Sequence, residues 1–68
     1  MIGIFEILNM NNEKDADTIE MAIGDLPDVI RVRTDLVTKV AKVEYEGDTD
    51  GAIRKAIRTA GFEVKMLE

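Results

Sequence analysis

The spacing of apolar residues in this chain changes from a period of two to a period near 3.6 and back, twice over, and this order limits the fold strongly. Residues 2–8 alternate as a strand does. One face of that strand is formed by Gly3, Phe5 and Ile7. From about Asp15 the apolar residues take helical spacing. Because Pro27 disfavours helical geometry at Leu26, the first helix is predicted to end near there.

The second half of the chain repeats this order after a hairpin. Residues 29–34 and 40–46 are rich in β-branched side chains that alternate with charged ones, which predicts two strands joined by a hairpin at 35–39. A second helical stripe is formed by Ile53, Ala56, Ile57 and Ala60. Gly61 is the expected left-handed residue after that helix. A last strand is predicted from Phe62.

Two strand–helix–strand units joined by a hairpin predict a four-stranded antiparallel sheet with both helices on one face. This is the ferredoxin-like βαββαβ sandwich, an α+β fold, in which the other sheet face stays open. We expect residues 1–68 to form a single domain, because a chain of 68 residues supports one core. Phe5, Tyr45 and Phe62 fall at alternating positions that favour the core.

Composition excludes several classes of function. The net charge of −5 argues against nucleic acid as a partner. No stretch approaches the roughly 20 apolar residues that span a bilayer, so we expect no membrane insertion. The N-terminus lacks a basic flank and a secretory apolar segment, so we expect the protein to lie in the cytoplasm. Since no nucleophile with a partnered base is visible, an enzyme is not expected.

Three segments resemble the heavy-metal-associated domain of copper chaperones, mercury-binding proteins and metal-pumping ATPases. Residues 56–63 (AIRTAGFE) are similar to the family's Ala-Ile-x-x-Ala-Gly-Tyr-Glu, and residues 26–29 (LPDV) are similar to its Leu-Pro-Gly-Val. Residues 9–15 (NMNNEKD) occupy the place of its Gly-Met-Thr-Cys-x-x-Cys loop. The resemblance covers nearly the whole chain and implies a βαββαβ domain related to metal transport.

The resemblance fails at the two residues that define the family's metal chemistry. Met10 matches the family's loop, but Asn12 and Asp15 stand where the two cysteines belong. The sequence contains no cysteine and no histidine at all. In the family the paired thiolates hold Cu(I) or another soft ion, so delivery of copper or mercury by that chemistry is not expected here.

The first interpretation of this loop is purely structural. Asn12 is a candidate N-cap of the first helix, and Asp15 stands at the N3 position, from which a carboxylate can bond the Asn12 amide as in a capping box. Glu13, Asp15 and Asp17 also place negative charge at the positive end of the helix dipole.

The second interpretation is a metal site made without cysteine. Its candidate ligands are Met10, Asn12 and Asp15, with Glu13 beside them. Mg²⁺ and Ca²⁺ require six or more oxygen ligands, and a thioether among hard oxygens combines ligands that suit different metals. Any such oxygen and thioether site is therefore expected to be weak.

The third interpretation is a docking module, which is compatible with the first. Candidate docking residues are acidic on the first helix and basic on the second: Glu13, Asp17, Glu20, Arg54, Lys55 and Arg58. By resemblance, an acidic first helix suits a basic protein partner such as a domain of a metal-transport ATPase.

Two further alternatives stay open from the sequence. Ile2, Ile4 and Leu8 are predicted on the open sheet face, where a contiguous apolar patch would favour a homodimer. A regulatory domain of the ACT type, which senses small molecules, shares the predicted topology, although the Gly-rich turn of such domains is absent here.

Overall fold

The computed structural model describes residues 1–67 and has the predicted order of elements. These are β1 (Ile2–Ile7), α1 (Glu13–Gly24), β2 (Val29–Asp35), β3 (Val40–Tyr45), α2 (Asp50–Thr59) and β4 (Val64–Met66). The strands form one antiparallel sheet in the order β2-β3-β1-β4. The ferredoxin-like βαββαβ prediction is confirmed. The last residue of the predicted domain, Glu68, lies outside the described residues.

The core lies between one face of the sheet and both helices. Its buried apolar residues are Phe5, Ile7, Met10, Ala16, Ile19, Ile23, Ala41, Val43, Tyr45, Ile53 and Ile57. Because strands β1 and β3 and helices α1 and α2 all contribute to this one cluster, the two helices share a sheet face, as predicted. Phe62 is half-buried and packs against the cluster.

Gly3 shows how tightly the strands meet that core. A Cβ atom at Gly3 would lie 2.8 Å from Cε2 of Phe5 and 3.1 Å from Cε1 of Tyr45. Both aromatic rings are buried. The glycine in β1 is therefore required for close packing of the two rings against the strand.

Two element boundaries differ from the sequence-based prediction. Helix α1 ends at Gly24, not at Leu26. The Leu26 amide bonds the Ile23 carbonyl instead, at 3.1 Å, and its side chain packs on the core outside the helix. Strand β4 begins at Val64 rather than at Phe62. Phe62 belongs to the turn that closes α2, since its amide bonds the Ile57 carbonyl at 3.2 Å.

The predicted left-handed residue after α2 is confirmed. Gly61 has φ +95°, and its amide bonds the Arg58 carbonyl at 2.9 Å. Together with the bond from Phe62 to Ile57, this pair completes a Schellman motif. The motif turns the chain so that Phe62 covers the core and β4 can pair with β1.

The loop that follows β1 lies between two other connections. The Ile7 amide bonds the carbonyl of Lys39 in the β2–β3 hairpin at 2.8 Å. The Leu8 amide bonds the carbonyl of Glu63, between α2 and β4, at 3.0 Å. Residues 8–12 therefore stand at one end of the molecule with both of these connections around them.

Neither helix in residues 1–67 has the length and the hydropathy that a membrane span requires.

Candidate functional site

Asn12 is the N-cap of helix α1, as the first interpretation predicted. Its backbone is extended, with φ −153° and ψ 173°, and its Oδ1 accepts a hydrogen bond from the Asp15 amide at 2.9 Å. The Asn12 carbonyl accepts the first helical bond, from the Ala16 amide, at 3.1 Å. An extended backbone with a side-chain acceptor is the standard geometry of an N-cap.

The predicted return bond from Asp15 has a different partner. The carboxylate does not bond the Asn12 amide; its Oδ2 accepts from the Asn11 amide at 3.0 Å. Among residues 1–67 the Asn11 amide has no backbone acceptor, and this bond satisfies it. The side chains of Asn12 and Asp15 therefore each bond a backbone amide at the helix start. The bond from Asp15 reaches Asn11, one residue before the Asn12 amide that a capping box would use.

Met10 lies beneath the loop rather than on it. Its side chain is fully buried in the core cluster, and its amide bonds the Ile7 carbonyl at 3.3 Å. Asn12 is exposed and Asp15 is half-buried at the surface of the helix start. The structure thus brings Asn12 and Asp15 together and places the thioether of Met10 in the packed interior.

Asn9 joins the loop to the connection between α2 and β4, a contact that the sequence analysis missed. Its Oδ1 accepts from the Glu63 amide at 2.8 Å, and its Nδ2 donates to the Gly61 carbonyl at 3.3 Å. The partners are more than fifty positions away in sequence. Only the location of Asn9 directly after β1, opposite the predicted Gly61 turn, pointed to such a contact.

Asn11 extends this network to the β2–β3 hairpin. Its Oδ1 accepts from Nζ of Lys39 at 2.8 Å, and its Nδ2 donates to the Asn9 carbonyl at 3.3 Å. Lys39 has a positive φ of 58°, in the left-handed region. We call Asn9, Asn11, Asn12, Asp15 and Lys39 the amide network. The network supplies hydrogen bonds across the whole loop.

The loop offers few free donor atoms for a metal ion. Within residues 1–67 no group of three or more His, Cys, Asp or Glu side chains is placed to hold an ion. Asn12 Oδ1 and Asp15 Oδ2 already accept backbone hydrogen bonds. A soft ion prefers thiolate or thioether sulfur, and a hard ion needs several free oxygens. The thioether of Met10 in this loop is buried in the core.

The acidic docking candidates line one side of α1. Glu13 and Asp17 are exposed, whereas Glu20 is half-buried and accepts a hydrogen bond from Oγ1 of Thr34 in β2. A groove between α1 and the end of β2 is lined by these three carboxylates together with Asp35. Glu20 therefore fastens α1 to the sheet, and Glu13 and Asp17 are the carboxylates of this set that face solvent.

The basic docking candidates lie on α2. Lys55 and Arg58 are exposed, and Arg54 forms an ion pair with Asp50 one turn earlier, with 3.7 Å between Nη2 and Oδ2. An exposed pair of this kind contributes little to stability. The acidic and basic sets thus lie on separate helices.

Comparison with solved structures supports the fold. The chain is similar to the domain Ccc2a of the yeast copper transporter, with 25% identity, a TM-score of 0.93, and coverage of 98% of this chain and 94% of that one. It also matches the N-terminal domain of PacS from Synechocystis PCC6803, with 24% identity, a TM-score of 0.91, and coverage of 100% and 98%. Oxidised MerP from Ralstonia metallidurans CH34 has 18% identity and a TM-score of 0.93, over 100% and 97% of the two chains.

Family membership is shown by a match to a family model. No curated protein sequence matches the chain significantly. The model for the heavy-metal-associated domain, however, matches residues 4–63, and this range includes all three segments that carry the resemblance. The chain is therefore a member of the heavy-metal-associated domain family that has no cysteine in the family's metal-binding loop.

Proposed function

We propose that this protein is a non-enzymatic accessory or interaction domain of a metal-transport system, working in the cytoplasm without a soft-metal thiolate site. The observation that carries the proposal is the role of the two residues that stand where the family has its cysteines. Asn12 and Asp15 bond the backbone at the start of α1 with their side chains, at 2.9 and 3.0 Å. A loop closed in this way holds its shape without an ion, and residues 1–68 would act as one small docking domain.

A weak metal site at Met10, Asn12 and Asp15 is the competing hypothesis. It requires Met10 to leave the core, where its side chain is fully buried. It also requires Asn12 and Asp15 to exchange backbone hydrogen bonds for an ion, which leaves amide donors unsatisfied. Both requirements cost free energy and disfavour this site relative to the docking role.

The surface that best suits a protein partner is the exposed acidic side of α1. Glu13 and Asp17 face solvent close to the amide network. The similar structures include the N-terminal domain of PacS and a domain of the yeast copper transporter. We infer that the partner is a domain of a metal-transport ATPase with a basic face, because charges of opposite sign favour encounter and register.

Two other roles receive less support. The match to the heavy-metal-associated family argues against a small-molecule sensor of the ACT type. A homodimer through the open sheet face draws on Ile2 and Leu8, whose side chains are exposed, and on Ile4, which is half-buried. The same face also holds like-charged cations on β2 and β3, and these would be desolvated in a sheet-to-sheet dimer.

The metal hypothesis and the docking hypothesis are separated by an amide-resolved NMR titration with Cu(I), Zn²⁺, Ca²⁺, Mg²⁺ and Mn²⁺ in turn. The docking role predicts no saturable shift in residues 10–17 up to millimolar metal. Saturable shifts confined to those residues at micromolar metal would establish a cysteine-free site and overturn the proposal. Asp15→Asn is the matched variant, since it removes the one carboxylate common to every metal arrangement considered.

The docking surface is tested by charge reversal. A partner captured by the wild-type protein should be lost with Glu13→Lys combined with Asp17→Lys, because both side chains face solvent and their reversal repels a basic surface. Glu46→Lys combined with Asp48→Lys is the matched control, because it makes the same change of charge at two exposed carboxylates outside α1, and it should keep the partner. Equal loss with the control would show that the interaction depends on net charge and not on the acidic side of α1.

A further inference from the structure

On the sheet face opposite the helices, β2 and β3 carry three cations and one carboxylate, and the first half of β1 carries apolar side chains. Arg31 and Arg33 of β2 lie beside Glu44 and Lys42 of β3 in the strand register. Strand β1 follows, with Ile2 opposite Glu44 and Ile4 opposite Lys42. The cations therefore gather over β2 and β3 although the chain as a whole carries a net charge of −5.

Three of these cations surround a single concavity. It encloses about 160 Å³ and is lined by Ile2, Arg31, Arg33, Lys42 and Glu44. The guanidinium groups of Arg31 and Arg33 and the ammonium group of Lys42 are on exposed side chains, whereas Glu44 is half-buried. The formal charge around the concavity is +2, from three cations and one carboxylate. We call this set the basic concavity.

Arg31 lies opposite Glu44 across the strands, whereas Arg33 lies opposite a second cation, Lys42. Arg33 and Lys42 are direct cross-strand neighbours, an arrangement that destabilises a sheet because like charges repel. Within residues 1–67 the one ion pair, at 3.7 Å, joins Arg54 and Asp50 on α2, so neither cation of the cross-strand pair is neutralised by a carboxylate there. An anion placed between the strands would relieve this repulsion.

We propose that the basic concavity binds a small ligand through a phosphoryl group. Arginine presents a planar fork of donors that matches phosphate oxygens in pairs, and lysine adds a compact charge with three donors. Arg31 and Arg33 supply two such forks from β2, and Lys42 approaches from β3. Ile2 forms an apolar wall on which a short uncharged part of the ligand can rest. This site is separate from the acidic side of α1 and does not depend on the docking role.

Pyrophosphate is the probe, because it carries phosphoryl oxygens without any other recognition group. In NMR titrations at constant ionic strength, we expect saturable shifts in β2 and β3 centred on Arg33 and Lys42. Arg33→Gln should weaken binding by about tenfold or more, the value of a charge-assisted hydrogen bond. Arg58→Gln, an equal change of charge on exposed α2, should leave the affinity within about twofold. Citrate, a carboxylate ligand of similar charge near neutral pH, should bind less tightly than pyrophosphate, because the ligand proposed is a phosphoryl group.

A second readout separates a binding site from an ordinary charged surface. Without ligand, Arg33→Gln should raise the melting temperature by roughly 2–5 °C, because the repulsion with Lys42 is removed. With pyrophosphate, the wild-type protein should gain thermal stability and Arg33→Gln should not. Equal weakening by Arg58→Gln would show diffuse attraction only. The absence of saturable shifts, or binding of citrate as tight as that of pyrophosphate, would also overturn the proposal.

Discussion

At the scale of single residues, the side chain of Asn12 decides how helix α1 begins. Its Oδ1 accepts a hydrogen bond from the Asp15 amide at 2.9 Å, and alanine has no side-chain acceptor to replace it. We expect Asn12→Ala to lower the free energy of unfolding by about 1 kcal/mol. Urea unfolding followed by circular dichroism measures the change. Asn12→Ser is the control, because serine also caps helices and should preserve most of the stability; a loss for serine equal to that for alanine would contradict the capping role.

Gly61 makes a second prediction at this scale. Its φ of +95° lies in the region that L side chains rarely adopt, although a Cβ there would meet no atom within 4 Å. The expected cost of Gly61→Ala is therefore one of backbone strain, about 1 kcal/mol. Gly51 is the matched control, because it lies inside α2 with nothing within 4 Å and has no positive φ. Gly51→Ala should be neutral or stabilising, and an unchanged midpoint for Gly61→Ala would contradict the assigned strain.

At the scale of elements, the loop between β1 and α1 stands where the family has its metal-binding loop but lacks the two cysteine ligands. Asn12 and Asp15 stand at the family's two cysteine positions, and each side chain bonds a backbone amide at the start of α1. We expect Asn12→Cys combined with Asp15→Cys to create a Cu(I) site, since two thiolates on one helix start suit a soft ion. Competition with a chromogenic Cu(I) chelator measures the affinity. Each single cysteine variant is the control and should bind far more weakly; a double variant no better than the single ones would contradict the correspondence of the two loops.

The same elements show which interactions follow from local pattern. The N-cap and the Gly61 turn need only neighbours within a few positions, so capping chemistry and the glycine predicted both. The bonds from Asn9 to Glu63 and from Lys39 to Asn11 join segments that meet only after the sheet has formed. No periodicity signals such a pair. The sequence analysis therefore missed the bonds of Asn9 and Lys39, while it found the N-cap of α1 and the C-terminal end of each helix to within two residues.

At the scale of the whole molecule, the net charge of −5 should make stability depend on salt. Carboxylates that repel one another at low ionic strength are screened over about 10 Å in 0.1 M salt. We expect the urea midpoint to rise as sodium chloride is added. The control combines Asp25→Asn with Glu46→Gln, two exposed residues whose change brings the net charge from −5 to −3. Its midpoint should respond less to salt, and a midpoint that falls with salt in the wild-type protein would contradict the argument.

The sequence by itself determined the order of the elements, the face of each that turns inward, and the missing thiolates, because these depend on periodicity and on residue chemistry. Capping chemistry also predicted the role of Asn12, but only the tertiary structure decided the remaining contacts of the loop. It turned Asp15 to the Asn11 amide and brought Asn9 and Lys39 to the same loop. It also placed Arg33 opposite Lys42 around one concavity. Register and chain reversal set these contacts, and both arise from packing of the entire core rather than from any local segment.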